Sequence, residues 1–182
     1  MAPIYSVTVN QLMPRFLEGE EAVHYCQTNI QYLIDLIGNN TNVMIAKGKF
    51  TPSQTIEACQ FVVGCYGLLY PDGNCGFYHV RFSEFFEKMA YNYLKLNDME
   101  QAFLCLEEAA EHALKFDTLE DGKFTAFMVN RVERSATDAV KDHEENRSGM
   151  LLKDLRGEEF AHLQNDPRMQ KIIDRLTLVA IV

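Results

Sequence analysis

Apolar residues recur at helical spacing along most of the chain, and polar or turn-forming stretches separate the periodic segments. The first clear segment runs from Glu20 to Ile37. Gly38 follows it, and glycine commonly ends a helix because it tolerates the left-handed backbone found there. The polar stretch 39–49 comes next. The pattern therefore predicts a helix over 20–37 that stops at Gly38 and leads into a loop.

The next segment carries the strongest helix-start signal in the chain. Thr51 can cap a helix, Pro52 suits its first position, and the T-x-x-Q spacing forms a capping box. The helix predicted over 52–70 is apolar nearly all round, which indicates neighbours on several sides. Gly64 and Gly67 lie three residues apart and would allow another backbone to approach this helix closely, although each lowers helix stability.

Two apolar stripes separated by a short turn form the clearest unit. The first stripe comprises Phe82, Phe85, Phe86, Met89, Ala90, Tyr93 and Leu94. The second comprises Ala102, Leu106, Ala109, Ala110 and Ala113. Asn97 and Asp98 connect them, with Asp98 placed to cap the second helix. Because so short a connection forces neighbouring helices to run antiparallel, the pattern predicts a helix hairpin.

The periodicity weakens after Phe116. Residues 124–140 can be helical but are poorly amphipathic, and the charged stretch 141–148 is expected to be solvated. Periodicity resumes over 151–155, and a final helix is expected to begin at 165–167. The tail 176–182 is unusually apolar, and only there is a strand conceivable. It either packs on the last helix of its own domain or is buried in a dimer contact.

Composition fits one all-α domain. With 182 residues, of which 47% are hydrophobic, the chain can bury a substantial core. A net charge of −9 argues against direct binding to nucleic acid, which depends largely on basic side chains. No apolar run reaches the roughly 18 residues of a membrane span, and the first twenty residues do not resemble a secretory signal. We therefore expect a cytoplasmic protein.

Catalytic and metal-binding motifs are not evident. The five cysteines include no C-x-x-C pair, and we expect them to be free thiols packed in the interior. The five histidines are dispersed, and His79, flanked by aromatic residues, is expected to be packed and hydrogen-bonded. The chain lacks a Gly-rich phosphate loop, a nucleophile elbow and an H-E-x-x-H motif. We therefore expect no enzymatic activity, no cofactor and no metal site.

The hairpin resembles a tetratricopeptide repeat. The segment FFEKMAYNYLKLNDMEQAFLCLEEAAEHA matches the spacing of that motif, with Ala90 and Ala102 at the positions where its two helices touch. Phe86 stands where the motif usually has tryptophan. The resemblance implies antiparallel helix hairpins stacked into a short right-handed array. It divides the chain into a leading segment, 1–18, and a tetratricopeptide-like helical domain, 19–182.

A broader resemblance covers roughly residues 16 to 176. The co-linear stretches LEGEEAVHYCQTNIQYLIDLI, MVNRVE and LLKDLRGEEFAHLQNDPRMQKIIDRL, together with the hairpin, resemble the C-terminal region of bacterial XRE-type (helix-turn-helix) transcriptional regulators. The resemblance implies a ligand-sensing or dimerisation domain, or both, that forms a homodimer. We expect no helix-turn-helix within the chain, so that DNA would be reached only through a domain outside it, and no membrane partner. The alternative is a stand-alone helical-repeat adaptor.

The candidate ligand site follows from the repeat, whose concave face is lined by the first helix of each hairpin. The residues expected there are Glu84, Glu87, Tyr91, Leu94 and Lys95. Such a groove could hold a peptide or a protein segment. The competing interpretation is a solvated face with helix-spaced ion pairs. Asn92 and Asn130 are weaker candidates, and a small-molecule pocket beneath the Gly64 and Gly67 helix is a further option.

Overall fold

The chain folds as an all-α domain, which confirms the predicted class. The computed structural model describes residues 12–134 and 144–181. The α-helices in these ranges are α1 (Gly19–Lys47), α2 (Pro52–Leu69), α3 (Tyr78–Lys95), α4 (Met99–Asp117), α5 (Arg147–Leu155) and α6 (Pro167–Thr177). Short 3-10 helices span Met13–Arg15 and Glu158–Leu163, and β1 (Gly122–Lys123) pairs antiparallel with β2 (Glu133–Arg134). Among these described helices, none has both the length and the apolarity needed to traverse a bilayer.

Helices α3 and α4 form the most extensive contact in the domain, and the remaining helices pack around them. The connection Leu96–Asp98 reverses the chain, and Asn97 takes a left-handed conformation with φ of 59°. Asp98 accepts a hydrogen bond from the Gln101 amide at 3.1 Å, which confirms the predicted cap. Helix α2 packs on α3, whereas α5 and α6 pack on α4.

Helix α2 begins as the sequence predicts. The Thr51 hydroxyl accepts from the Gln54 amide at 3.3 Å, and the Thr51 amide donates to the Gln54 side chain at 3.0 Å, completing the capping box. The described residues leave the space beside Gly64 and Gly67 open. A Cβ added at either position would meet no atom within 4 Å, because both glycines are on the exposed face of the helix. Within residues 12–134 and 144–181, no backbone from outside the helix lies within 4 Å of a Cβ at these positions.

Helix α1 is longer than predicted, because Gly38 does not end it. The helix continues to Lys47, so the loop expected over 39–49 is helical for most of its length. Gly38 is buried, and a Cβ there would lie 2.0 Å from the Tyr66 hydroxyl. Glycine stands at this position because α1 and α2 cross so closely, and the 29-residue helix needs no stop there.

The crossing of α1 over Tyr66 gives a first prediction. Tyr66 is fully buried, with its ring 5.2 Å from that of Tyr78 and 5.5 Å from that of Phe82 (centroid to centroid), so it cannot swing aside. Gly38→Ala is therefore expected to lower the free energy of unfolding by about 1–3 kcal/mol through overpacking. Chemical denaturation measures the change.

Tyr66→Phe provides the control for that prediction. Within the described residues the Tyr66 hydroxyl has no hydrogen-bond partner, so its removal is expected to leave stability unchanged or slightly raised. The phenylalanine also frees space for the new methyl group. Gly38→Ala should then lower the free energy of unfolding much less in the Tyr66→Phe background than in the wild type. An equal loss of stability in both backgrounds would contradict the steric explanation.

The segment after α4 differs from its predicted helix. Residues 124–134 contain turns and β2, and the Phe124 ring lies 5.4 Å from that of Tyr70. The Asn74 side chain donates to the Lys123 carbonyl at 2.9 Å. This stretch is held by individual contacts such as these and not by one continuous apolar helix face. Its sequence is therefore only weakly amphipathic. The remainder of the predicted helix, 135–140, lies outside the described residues.

The C-terminal tail runs against the first turn of α5. The Asn146 side chain caps α5 by accepting from the Gly149 amide, accepts also from the Ile181 amide, and donates to the Val179 carbonyl, at 2.8–2.9 Å. A Cβ at Gly149 would lie 2.1 Å from the Ile181 carbonyl oxygen. The final helix, α6, begins at Pro167, as the sequence predicts, and Asp166 caps it by accepting from the Arg168 amide. The tail therefore packs within its own domain through α5.

Candidate functional site

The five residues predicted to line a groove lie along α3, and most of them contact other parts of the same chain. The Glu84 carboxylate pairs with Arg81 at 3.2 Å. The Tyr91 ring lies 6.3 Å from that of Phe160, and the Lys95 ammonium sits 3.8 Å from the centre of the Tyr91 ring. Leu94 is half-buried against the core, and Lys95 is exposed.

Glu87, the remaining residue of the predicted groove, forms a buried ion pair. Arg147 donates to the Glu87 carboxylate and also to the Ser83 hydroxyl at 2.9 Å. The Arg147 side chain is 6% exposed and that of Glu87 is 18% exposed. Burial raises the pKa of Glu87 to about 7, and the neighbouring Arg147 offsets only part of that rise. The pair fastens the start of α5 to the middle of α3.

A second anchor holds the same end of α5. The Asp117 carboxylate, at the end of α4, accepts from the Arg147 amide at 2.9 Å and from the Ser148 amide at 2.7 Å. These amides are among those that an α-helix leaves without internal partners, and a carboxylate is favourable at that end of the helix dipole. Burial of Arg147 and Ser148 corrects the prediction that the whole stretch 141–148 is solvated.

A pocket of about 210 Å³ opens where α3, α4 and the start of α5 meet. Its lining combines aromatic and aliphatic side chains with ionised ones. The lining residues are Phe77, Val80, Arg81, Glu84, Phe116, Asp117, Glu145, Asn146, Arg147 and Met150. An apolar lining with a few converging polar groups is typical of ligand sites. Of the predicted groove residues, only Glu84 contributes to this pocket.

A cluster of one cysteine and two histidines lies at the open end of the α3–α4 hairpin, opposite its turn. The Cys75 thiol lies 3.2 Å from His79 Nδ1, which lies 2.8 Å from His112 Nδ1. Cys75 and His79 are buried, and His112 is half-buried. Burial and the adjacent His79 lower the pKa of His112 to about 3, so it is neutral at physiological pH. His79 is packed and hydrogen-bonded, as the sequence predicts.

Sequence reasoning missed this cluster although a signal was present. His79 and His112 are nearly equidistant along the chain from Leu96, at the turn of the hairpin. Antiparallel helices place such residues opposite each other. The predicted hairpin alone could therefore have brought the two histidines together. Asn92 and Asn130, by contrast, have local roles: Asn92 donates to the Lys88 carbonyl, and Asn130 accepts from the Gln27 amide group.

Comparisons with protein families, curated proteins and solved structures give no match to this chain.

Proposed function

We propose that this chain is the ligand-sensing and dimerisation domain of a bacterial transcriptional regulator of the XRE type, with its ligand in the pocket between α3, α4 and α5. The supporting observation is that three residues have two roles at once, Asp117, Asn146 and Arg147. They line the pocket, and they also fix the position of α5. A ligand that contacts these groups therefore acts on the attachment of α5. The sequence resemblance supports the regulatory role.

The size and lining of the pocket favour the end of a short peptide. A volume of about 210 Å³ has room for one residue and its backbone groups, since a water molecule takes roughly 30 Å³ in the liquid. Phe77, Phe116 and Met150 offer surface to an apolar side chain. The three carboxylates of the lining outnumber its two guanidinium groups, which favours an ammonium group on the ligand.

Thermal-shift measurements on the full chain test this proposal, with free amino acids and peptides of two to four residues as probes. A bound peptide is expected to raise the unfolding temperature by mass action. Glu84→Gln is expected to weaken binding about tenfold or more, because a hydrogen bond to a charged group is lost. Met150→Trp is expected to fill the pocket and abolish binding.

Met128→Trp is the matched control, because Met128 is exposed to nearly the same extent, 45% against 40%, and lies outside the pocket. It should bind the peptide as the wild type does. Binding that survives Met150→Trp would place the ligand elsewhere. The absence of any stabilising probe, with the chain folded, would count against peptide sensing at this pocket.

Dimerisation is supported by exposed apolar side chains on the outer surfaces of α1 and α2. Phe61 is 60% exposed and Leu68 is 84% exposed, and Leu33, Val43 and Met44 are also exposed. Exposed apolar side chains that lie together mark interaction sites, and Met44 of α1 and Phe61 of α2 line one common depression. Light scattering on the same samples is expected to give the mass of a dimer, and a monomer at all concentrations would argue against it.

The alternative, a stand-alone adaptor, would use the same pocket and apolar surface to bind a protein partner. The gene distinguishes the two, because a regulator needs a helix-turn-helix encoded in the same reading frame or in an adjoining gene. A reading frame that starts at Met1, with no such domain nearby, would favour the adaptor.

A further inference from the structure

The side chains of Cys75, His79 and His112 converge on one point between the α2–α3 connection, α3 and α4. One ligand atom from each residue, a sulfur and two ring nitrogens, lies within 4.8 Å of the others. The two histidine Nδ1 atoms face each other at 2.8 Å. Thiolate sulfur and imidazole nitrogen are the preferred ligands of Zn²⁺.

The spacing of these atoms is close to what an ion requires. Zinc bonds of about 2.3 Å to sulfur and about 2.0–2.1 Å to nitrogen, in tetrahedral geometry, place neighbouring ligand atoms roughly 3.3–3.6 Å apart. The observed separations of 3.2 Å and 2.8 Å are those of hydrogen-bonded side chains. For these two pairs an ion would need the ligand atoms to part by some tenths of an ångström, and the third pair, Cys75 with His112, lies within 4.8 Å.

Aromatic packing holds the His112 ring of the cluster in place. The Phe82 ring stacks on His112 with 4.5 Å between ring centres and 14° between planes, so the orientation of His112 is fixed by packing. His112 is half-buried, whereas Cys75 and His79 are buried.

We propose that Cys75, His79 and His112 form a binding site for a single Zn²⁺ ion, with water as the fourth ligand. Binding breaks the hydrogen bond between the histidines, moves the shared ring proton to a distal Nε2, and releases the thiol proton to solvent. The ion then ties the α2–α3 connection to both helices of the hairpin at its open end. This site is separate from the peptide pocket and does not depend on the proposed function.

Titration of the metal-free full chain with Co²⁺ tests the site, because a cobalt–thiolate bond gives an absorption band in the near ultraviolet. We expect one Co²⁺ per chain, displaced by one Zn²⁺, and a rise in the unfolding temperature on adding Zn²⁺. Cys75→Ser should abolish the band. His112→Gln should greatly weaken binding while retaining the fold, as checked by circular dichroism.

Cys65→Ser and His162→Gln are the matched controls, since Cys65 is half-buried on α2 and His162 is exposed beyond α5. Both should bind Co²⁺ as the wild type does. A cobalt–thiolate band that persists in Cys75→Ser would overturn the assignment, and so would an unfolding temperature raised equally by Zn²⁺ in wild type and His112→Gln. A folded wild-type chain that gives no band would also overturn it.

Discussion

Replacing Phe160 by alanine is expected to lower the free energy of unfolding by about 3–5 kcal/mol, the usual cost of removing a buried aromatic ring. Phe160 is 1% exposed and belongs to the 3-10 helix Glu158–Leu163, where its ring packs near that of Tyr91 on α3. A 3-10 helix this short has little stability of its own. Its position therefore depends on the buried side chains that it contributes.

Chemical denaturation would measure this loss of stability, and hydrogen exchange would show which part of the chain is destabilised. The amides of Glu158–Leu163 are expected to exchange faster in Phe160→Ala than in the wild type. Phe127→Ala is the matched control, because the Phe127 ring is 76% exposed and its removal should hardly change stability. A loss of less than about 1 kcal/mol in Phe160→Ala would show that the ring does not hold the 3-10 helix on α3.

Features that depend on neighbouring residues could be predicted from the sequence. The Thr51 capping box, the Asp98 cap and the Asp166 cap are formed within a few residues of the chain, and each is present in the structure. The short connection at Asn97 and Asp98 likewise specifies the hairpin of α3 and α4. Local hydrogen bonding and a short connection leave little freedom, so the pattern determines the structure there.

Features that depend on distant partners could not be predicted in the same way. Glycine at position 38 is compatible with a helix end and with a close helix crossing, and only the distant Tyr66 decides between them. The ion pair of Glu87 with Arg147 joins residues 60 positions apart. Because the stretch after α4 lacks helical periodicity, the sequence did not show that α5 would pack on α4 and reach α3 through Arg147.

The remaining large effect concerns the pH dependence of stability at Glu87. Its pKa is raised from 4.5 to about 7 by burial in the folded chain, so the folded state holds the proton more tightly than the unfolded state does. The stabilising contribution of this group is fully present below pH 4.5 and is lost as the pH rises through about 7. A shift of this size corresponds to a loss of about 3 kcal/mol.

Glu87→Gln isolates this effect, because glutamine keeps the shape and the hydrogen bond to Arg147 but does not ionise. Near pH 5 the variant and the wild type are expected to be similarly stable. At pH 8 the variant is expected to be more stable by up to about 3 kcal/mol, since the wild type must then bury an ionised carboxylate. Denaturation of both proteins at several pH values measures the difference.

The sign of the result at pH 8 distinguishes two views of this ion pair. If attraction to Arg147 outweighed the cost of burial, removing the negative charge would leave the buried Arg147 unpaired and would destabilise the chain by about 3–5 kcal/mol. Glu100→Gln is the control, because Glu100 pairs with Arg168 at the surface and is 84% exposed. We expect that control to be about as stable as the wild type at pH 8, because exposed ion pairs contribute little to stability. The desolvation cost of Glu87 would then be a property of its buried position between α3 and α5.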